Sequence, residues 1–121
     1  MDRSNKIGDV GAAALAEALV HCEVTGLRLG DNEISDVGAV ALANAIKPRP
    51  NPWLAKLELD GNAIGNAGAE ALEAALQCCN GELNFLALSL NPDLSESVMH
   101  RVEALATQQR HQYAHGQHSE F

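Results

Sequence analysis

The side chains that could support catalysis or metal binding are His111, His115 and His118, the thiols Cys22, Cys78 and Cys79, and the carboxylates Asp31, Glu33, Asp36 and Asp60. The histidines are spaced i, i+4 and i+7, which on one helix would align three imidazoles toward a metal ion. Gly116 interrupts that run, and no carboxylate or cysteine is placed to complete a coordination shell, so a solvated tail is expected and no metal or other cofactor is assigned. Protonation near pH 6 would make this tail basic against an acidic body. An odd number of cysteines without a CxxC pair suggests reduced thiols rather than a disulfide framework or a zinc site. No G-x-S-x-G, P-loop, G-x-G-x-x-G or H-E-x-x-H run is present, and no Ser-His-Asp or Cys-His set assembles, so an enzyme is not expected. The carboxylates are explained by helix capping and a solvated rim.

What must position any functional residue is a repeat. Asn5, Asn32, Asn62 and Asn91 recur at intervals of 27, 30 and 29 residues. Counting from the first three, position +2 is Ile7, Ile34 and Ile64; +4 is Asp9, Asp36 and Asn66; +6 is Gly11, Gly38 and Gly68; +10 is Leu15, Leu42 and Leu72; and +14 is Leu19, Ile46 and Leu76. Upstream of the last three asparagines lie 24–29, 54–59 and 83–88, each of the form apolar-x-x-Leu-x-Leu, whose period of two predicts a short strand. After +4 the period lengthens to three and four, through Val10, Ala14, Leu15, Ala18 and Leu19, then Val37, Ala41, Leu42, Ala45 and Ile46. This predicts amphipathic helices. Asp9, Asp36 and Asn66 are expected to cap the helices they begin, with Ser95 doing so in the last repeat. Asn32, Asn62 and Asn91 should form an asparagine ladder, their buried amides bonding backbone that the strands leave unpaired.

The run L-x-L-x-x-N-x-I-x-x-x-G-x-x-x-L-x-x-A-L resembles the leucine-rich repeats of the ribonuclease-inhibitor class, also seen in the sensing domains of NOD-like receptors and in Ran GTPase-activating protein. The resemblance covers about residues 5 to 109. It implies an α/β solenoid with parallel strands on the concave face, helices on the convex face, and partners gripped on the inner face or its loop rims. Cys22 and Cys79, both at +17, also resemble the reduced cysteines of ribonuclease inhibitor, which implies sensitivity to oxidation. The expected organisation is an extension over 1–4, a partial repeat over 5–23, repeats over 24–53, 54–82 and 83–109, and a polar tail over 110–121. The last repeat departs from the pattern: Leu94 stands at +3, Val98 where glycine is expected, and Val102 in the leucine column after one inserted residue. It reads as a terminal cap.

Aligning the strands maps the inner face: Gly26, Lys56 and Phe85 in one row, Arg28, Glu58 and Ala87 in the next, Gly30, Asp60 and Ser89 in the third. Arg28 and Glu58 should pair across neighbouring strands. Phe85 is the foremost contact candidate, because a large apolar side chain on this face has no core to enter. Trp53 follows the proline-rich connection 47–52 and is expected either to tuck over the repeat ends or to make a contact.

Composition bounds the partners. With 121 residues, 46% hydrophobic and 3% aromatic, the chain makes one domain of thin stacked elements. A net charge of −8 disfavours nucleic acid and anionic membranes, and no apolar run approaches the roughly 20 residues that span a bilayer. No signal-peptide core follows Met1 to Asn5, so an intracellular, cytoplasmic protein is expected. The first repeat begins at its asparagine without a strand, so the 26–29 strand would be an uncapped N-terminal edge. This predicts docking of a protein partner, self-association, or origin as a piece of a longer repeat protein. The functional expectation is a non-catalytic interaction module, a small structural or adaptor subunit of a larger assembly. The alternatives are a regulator of an enzyme, either ribonuclease-inhibitor-like or GTPase-activating, and a fragment of a NOD-like sensor.

Overall fold

The computed structural model describes residues 6–19, 24–46, 54–78 and 83–119, with the side chains of 78 and 108–119 excepted. Helices and strands alternate: α1 (Gly8–Leu19), β1 (Gly26–Arg28), α2 (Asp36–Ile46), β2 (Lys56–Glu58), α3 (Asn66–Cys78), β3 (Phe85–Ala87) and α4 (Glu96–Ser119). The strands form one open parallel sheet in the order β1-β2-β3. Crossover helices pack one against the next on its convex side, the arrangement parallel pairing requires. The fold is a short α/β leucine-rich-repeat solenoid.

Each strand is three residues long, with its central leucine, Leu27, Leu57 or Leu86, buried and the residues beside it more exposed. The core is a stack of equivalent residues: Leu29, Leu59 and Leu88 from the strands, Ile34 and Ile64 from the turns, Leu42, Leu72 and Leu76 from the helices, all at most 1% exposed. The last repeat enters the same core through Val98, Val102 and Ala106, as one inserted residue before the helix requires.

Two helical expectations are corrected. Val10 and Val37 are 86% and 69% exposed, and the residues buried in their place are the alanines at +7, Ala12, Ala39 and Ala69, each 0% exposed. A solenoid helix is pressed between two neighbouring helices as well as against the sheet, so its closest contacts take the smallest side chain. Of the +4 residues, Ser95 caps its own helix as expected, but Asp9, Asp36 and Asn66 do not cap the helices they begin. Asp9 Oδ1 accepts from the amides of Ser35 (2.8 Å) and Gly38 (2.9 Å), Asp36 Oδ1 from Gly65 (2.7 Å) and Gly68 (2.8 Å), and Asn66 Oδ1 from Ser95 (3.0 Å). Each cap therefore reaches into the next repeat. The helices' own caps are Ser35, accepting from Val37 N at 3.3 Å, and Ser95, accepting from Val98 N at 3.4 Å. α3 begins after Gly65, which has no side chain to offer, so Asp36 alone supplies its side-chain acceptor.

The +6 glycines are required by this crowding. A Cβ on Gly38 would lie 2.6 Å from both Asp9 Oδ1 and Ile34 Cγ2, and one on Gly68 would lie 2.6 Å from Asp36 Oδ1 and 2.9 Å from the Ala39 Cβ.

At the far end, α4 runs through Gly116 to Ser119, past residue 109, where apolar periodicity ends. Periodicity reports a buried face and not a helix as such. Gln, Arg and Ala support helix without one, and a single glycine costs only about 1 kcal/mol. The three histidines fall in this stretch, and any grouping of their side chains lies outside the described residues.

Candidate functional site

The open face of the sheet is positioned from below. Asn32, Asn62 and Asn91 are at most 5% exposed and stand where each strand turns toward its helix. Asn62 Oδ1 accepts from Asn32 N (2.9 Å) and Ile34 N (3.0 Å), while its Nδ2 donates to the carbonyls of Leu29 and Leu59, both at 2.9 Å. Asn91 does the same one repeat on, accepting from Ile64 N (2.9 Å) and donating to Leu59 O (3.0 Å) and Leu88 O (2.9 Å). Asn32 Oδ1 takes Ile7 N at 3.4 Å, and its Nδ2 reaches Gly30 O at 3.0 Å. Among the described residues, every buried side-chain nitrogen and oxygen has a partner.

Strand register places Gly26, Lys56 and Phe85 in one row and Arg28, Glu58 and Ala87 in the next. In the first row the Lys56 ammonium lies 5.7 Å from the centroid of the Phe85 ring, which remains 43% exposed. In the second, Arg28 Nε lies 3.9 Å from Glu58 Oε2, with the arginine side chain 68% and the glutamate 23% exposed, a contact at the limit of an ion pair. Asp60 is half-buried one row further on. Trp53 lies outside the described residues.

Two features of this face are not evident from periodicity. Leu90 is 77% exposed and sits at φ +61°. It occupies the column just before the asparagine, and its equivalents Asp31 and Gly61 are also left-handed, at φ +58° and +70°. The shared backbone turn is the signal that could have revealed it, since an aliphatic residue is disfavoured there. The second feature is polarity. The first row carries Lys56 and the second the paired Arg28 and Glu58, whereas the segments beyond the strands carry Asp60, Asp31, Glu33 and Asp93.

The two sides of the sheet differ. Leu29 N donates to Glu58 O (2.8 Å) and Leu59 N to Ala87 O (2.9 Å), but the equivalent amide of Leu88 is taken by Glu103 Oε2 of α4 at 2.6 Å. A side chain thus replaces the carbonyl of a further strand. α4 is tied to α3 by Arg101, whose Nε and second terminal nitrogen donate to Glu73 at 2.8 and 3.0 Å, with Glu70 at 3.8 Å. Those hydrogen bonds and charges raise the Arg101 pKa further above its ordinary value. On the other side β1 is the edge strand.

Among the described residues no group of three or more histidine, cysteine, aspartate or glutamate side chains could hold a metal ion, and no helix is long and apolar enough to cross a membrane.

Comparison with known proteins agrees with the fold. The family profile described as Leucine Rich repeat matches residues 3–16, 20–43 and 51–72. No curated protein matches the chain by sequence. Among solved structures, one titled "Leiomodin-1 Actin-Binding Site 2 (ABS2)" is similar over 93% of this chain and 81% of that one, with a TM-score of 0.65 and 18% sequence identity.

Proposed function

The chain is a short leucine-rich-repeat solenoid, and from that premise we propose that it is a non-catalytic protein-binding module, a small structural or adaptor subunit whose contact surface is the open face of its sheet. The observation that carries this reading is Phe85, an aromatic ring 43% exposed on a face otherwise lined by small and charged side chains. Isolated exposed apolar groups are ordinary on a protein surface, but here Phe85 shares one strand with Ala87 and leads to the 77% exposed Leu90. Interface anchors are characteristically aromatic and flanked by polar groups, as Lys56 and Glu58 on the neighbouring strand flank this one. The comparisons support a protein partner in general terms, since the solved neighbour's title names an actin-binding site, and neither comparison indicates a catalytic family.

Photo-crosslinking tests this. A benzophenone amino acid at position 85 of the full chain should yield a discrete protein adduct in an extract of the native source, and the same group at Asn44, exposed on the convex α2, should not. Adducts from position 44 alone would move the contact surface to the helices and overturn the proposal.

A further inference from the structure

We propose that the partner presents an amphipathic helix, laid along the strand direction, with basic side chains over the strand ends and acidic side chains over the strand starts. This rests on the proposed binding role of the open face and specifies the chemistry of what it binds. Shape supports the occupant. Three strands spaced about 4.8 Å apart make a face roughly 10 Å wide between its outer strands, close to the diameter of one helix. An extended peptide lying over that face would find the β2 backbone already paired on both sides, leaving its own amides without partners, whereas a helix bonds its backbone internally.

Charge supports the orientation. Lys56 stands in the first row and Arg28 in the second, where Glu58 pairs with it, while Asp60, Asp31 and Glu33 lie beyond that row. A chain with eight more acidic than basic residues thus has no acidic side chain in the first row of the face, where Lys56 stands. Between those poles runs an apolar track: Phe85 and Ala87 on β3, then Leu90, 77% exposed in the left-handed turn that follows it. The five residue steps from Phe85 to Leu90 span at most about 16 Å, which a helix covers in about eleven residues, so apolar anchors spaced i, i+3 or i+4, i+7 and i+10 or i+11 match the track. Opposite charge at each end makes the alignment polar, because reversing the helix sets acid against acid and base against base.

A display library tests this directly. Helical peptides with a fixed leucine stripe, and lysine, glutamate, glutamine or serine allowed at every flanking position, are selected against the full 121-residue chain. The expected binders carry lysine at one end and glutamate at the other, bind more weakly in high salt, and lose at least tenfold in affinity when the two blocks are exchanged. Selection against the R28E/K56E double variant, its fold checked by circular dichroism, should replace the glutamate end by lysine. Uniformly basic or uniformly acidic binders, equal binding of exchanged peptides, or no binders would overturn the proposal. A crosslinked native partner that seats on position 85 without such a helix would overturn it while leaving the binding role of the face intact.

Discussion

The Asp36 carboxylate, in the first turn of α2, accepts the amide of Gly68 in α3 at 2.8 Å, so a residue of one repeat caps the helix of the next. The same contact joins Asp9 to Gly38 at 2.9 Å. Helix capping and repeat stacking are therefore coupled, and for α3, whose side-chain acceptor is Asp36 alone, separating the repeat from its neighbour would remove the cap.

Asp36→Ala should accordingly cost about 1–2 kcal/mol, the upper part of the range for lost caps, because the Gly65 and Gly68 amides lose their acceptor together. Asp36→Asn keeps an oxygen in place and should lose less than half as much. Thermal unfolding followed by circular dichroism measures both, and equal losses for the two variants would show that charge and not acceptor geometry matters.

Gly38→Ala offers a test in which propensity and packing oppose each other. Alanine is the better helix former by about 1 kcal/mol. Its Cβ would nevertheless lie 2.6 Å from Asp9 Oδ1 and Ile34 Cγ2, so a net destabilisation of about 1–3 kcal/mol is expected. Chemical denaturation that finds the variant more stable than the parent would remove the close-packing account of the +6 glycines.

Acid should weaken the first repeat junction. Partial burial works to raise the Asp9 pKa, but the Ser35 hydroxyl, then the Ser35 and Gly38 amides, outweigh it and hold the carboxyl below its ordinary value of 3.8. A carboxyl depressed in the folded state stabilises fully above its unfolded pKa and loses that contribution as pH falls through the lower, folded value. Ser35→Ala removes the hydroxyl that donates to Asp9 Oδ2 at 2.5 Å, so Asp9 should titrate at higher pH and the acid-side loss begin earlier. Carboxyl-carbon NMR of both proteins reports the shift, and coincident titration curves would refute it.

Asn62→Ala should be the most damaging of these substitutions. It leaves the buried Asn32 and Ile34 amides and the Leu29 and Leu59 carbonyls short of partners, a loss of about 3 kcal/mol or more. Asn62→Asp keeps the acceptor for the two amides but turns a carboxylate toward the two carbonyls, so it should not rescue stability. Equilibrium urea unfolding compares the two variants, and near-parental stability of either would contradict the hydrogen-bond assignment.

Glu103→Ala frees the Leu88 amide on the outer side of β3. Hydrogen exchange at Leu88 should quicken at least tenfold while Leu59, bonded to Ala87 O, keeps its protection until the protein opens globally. Unchanged Leu88 protection would mean that α4 shields this edge without the carboxylate.

The repeat, its strands and its helices were legible from residues 5 to 109 because each follows from local spacing: leucines two apart, then leucines four apart, with an asparagine at the join. The rows of the open face were legible too, since parallel strands of equal repeats can only pair equivalent residues, and Lys56 does stand between Gly26 and Phe85. What neighbours decide could not be read this way. Asp9 and Asp36 look like caps of their own helices until the next repeat brings closer amides. Val10 and Val37 look like core until adjacent helices claim that place for alanine. Leu90 reveals its exposure only through the left-handed turn it shares with Asp31 and Gly61. Sequence by itself determined the unit and its period, because those depend on residues a few positions apart. Tertiary structure decided which atoms of each unit meet the next, because residues about 30 positions apart come together only when the repeats stack.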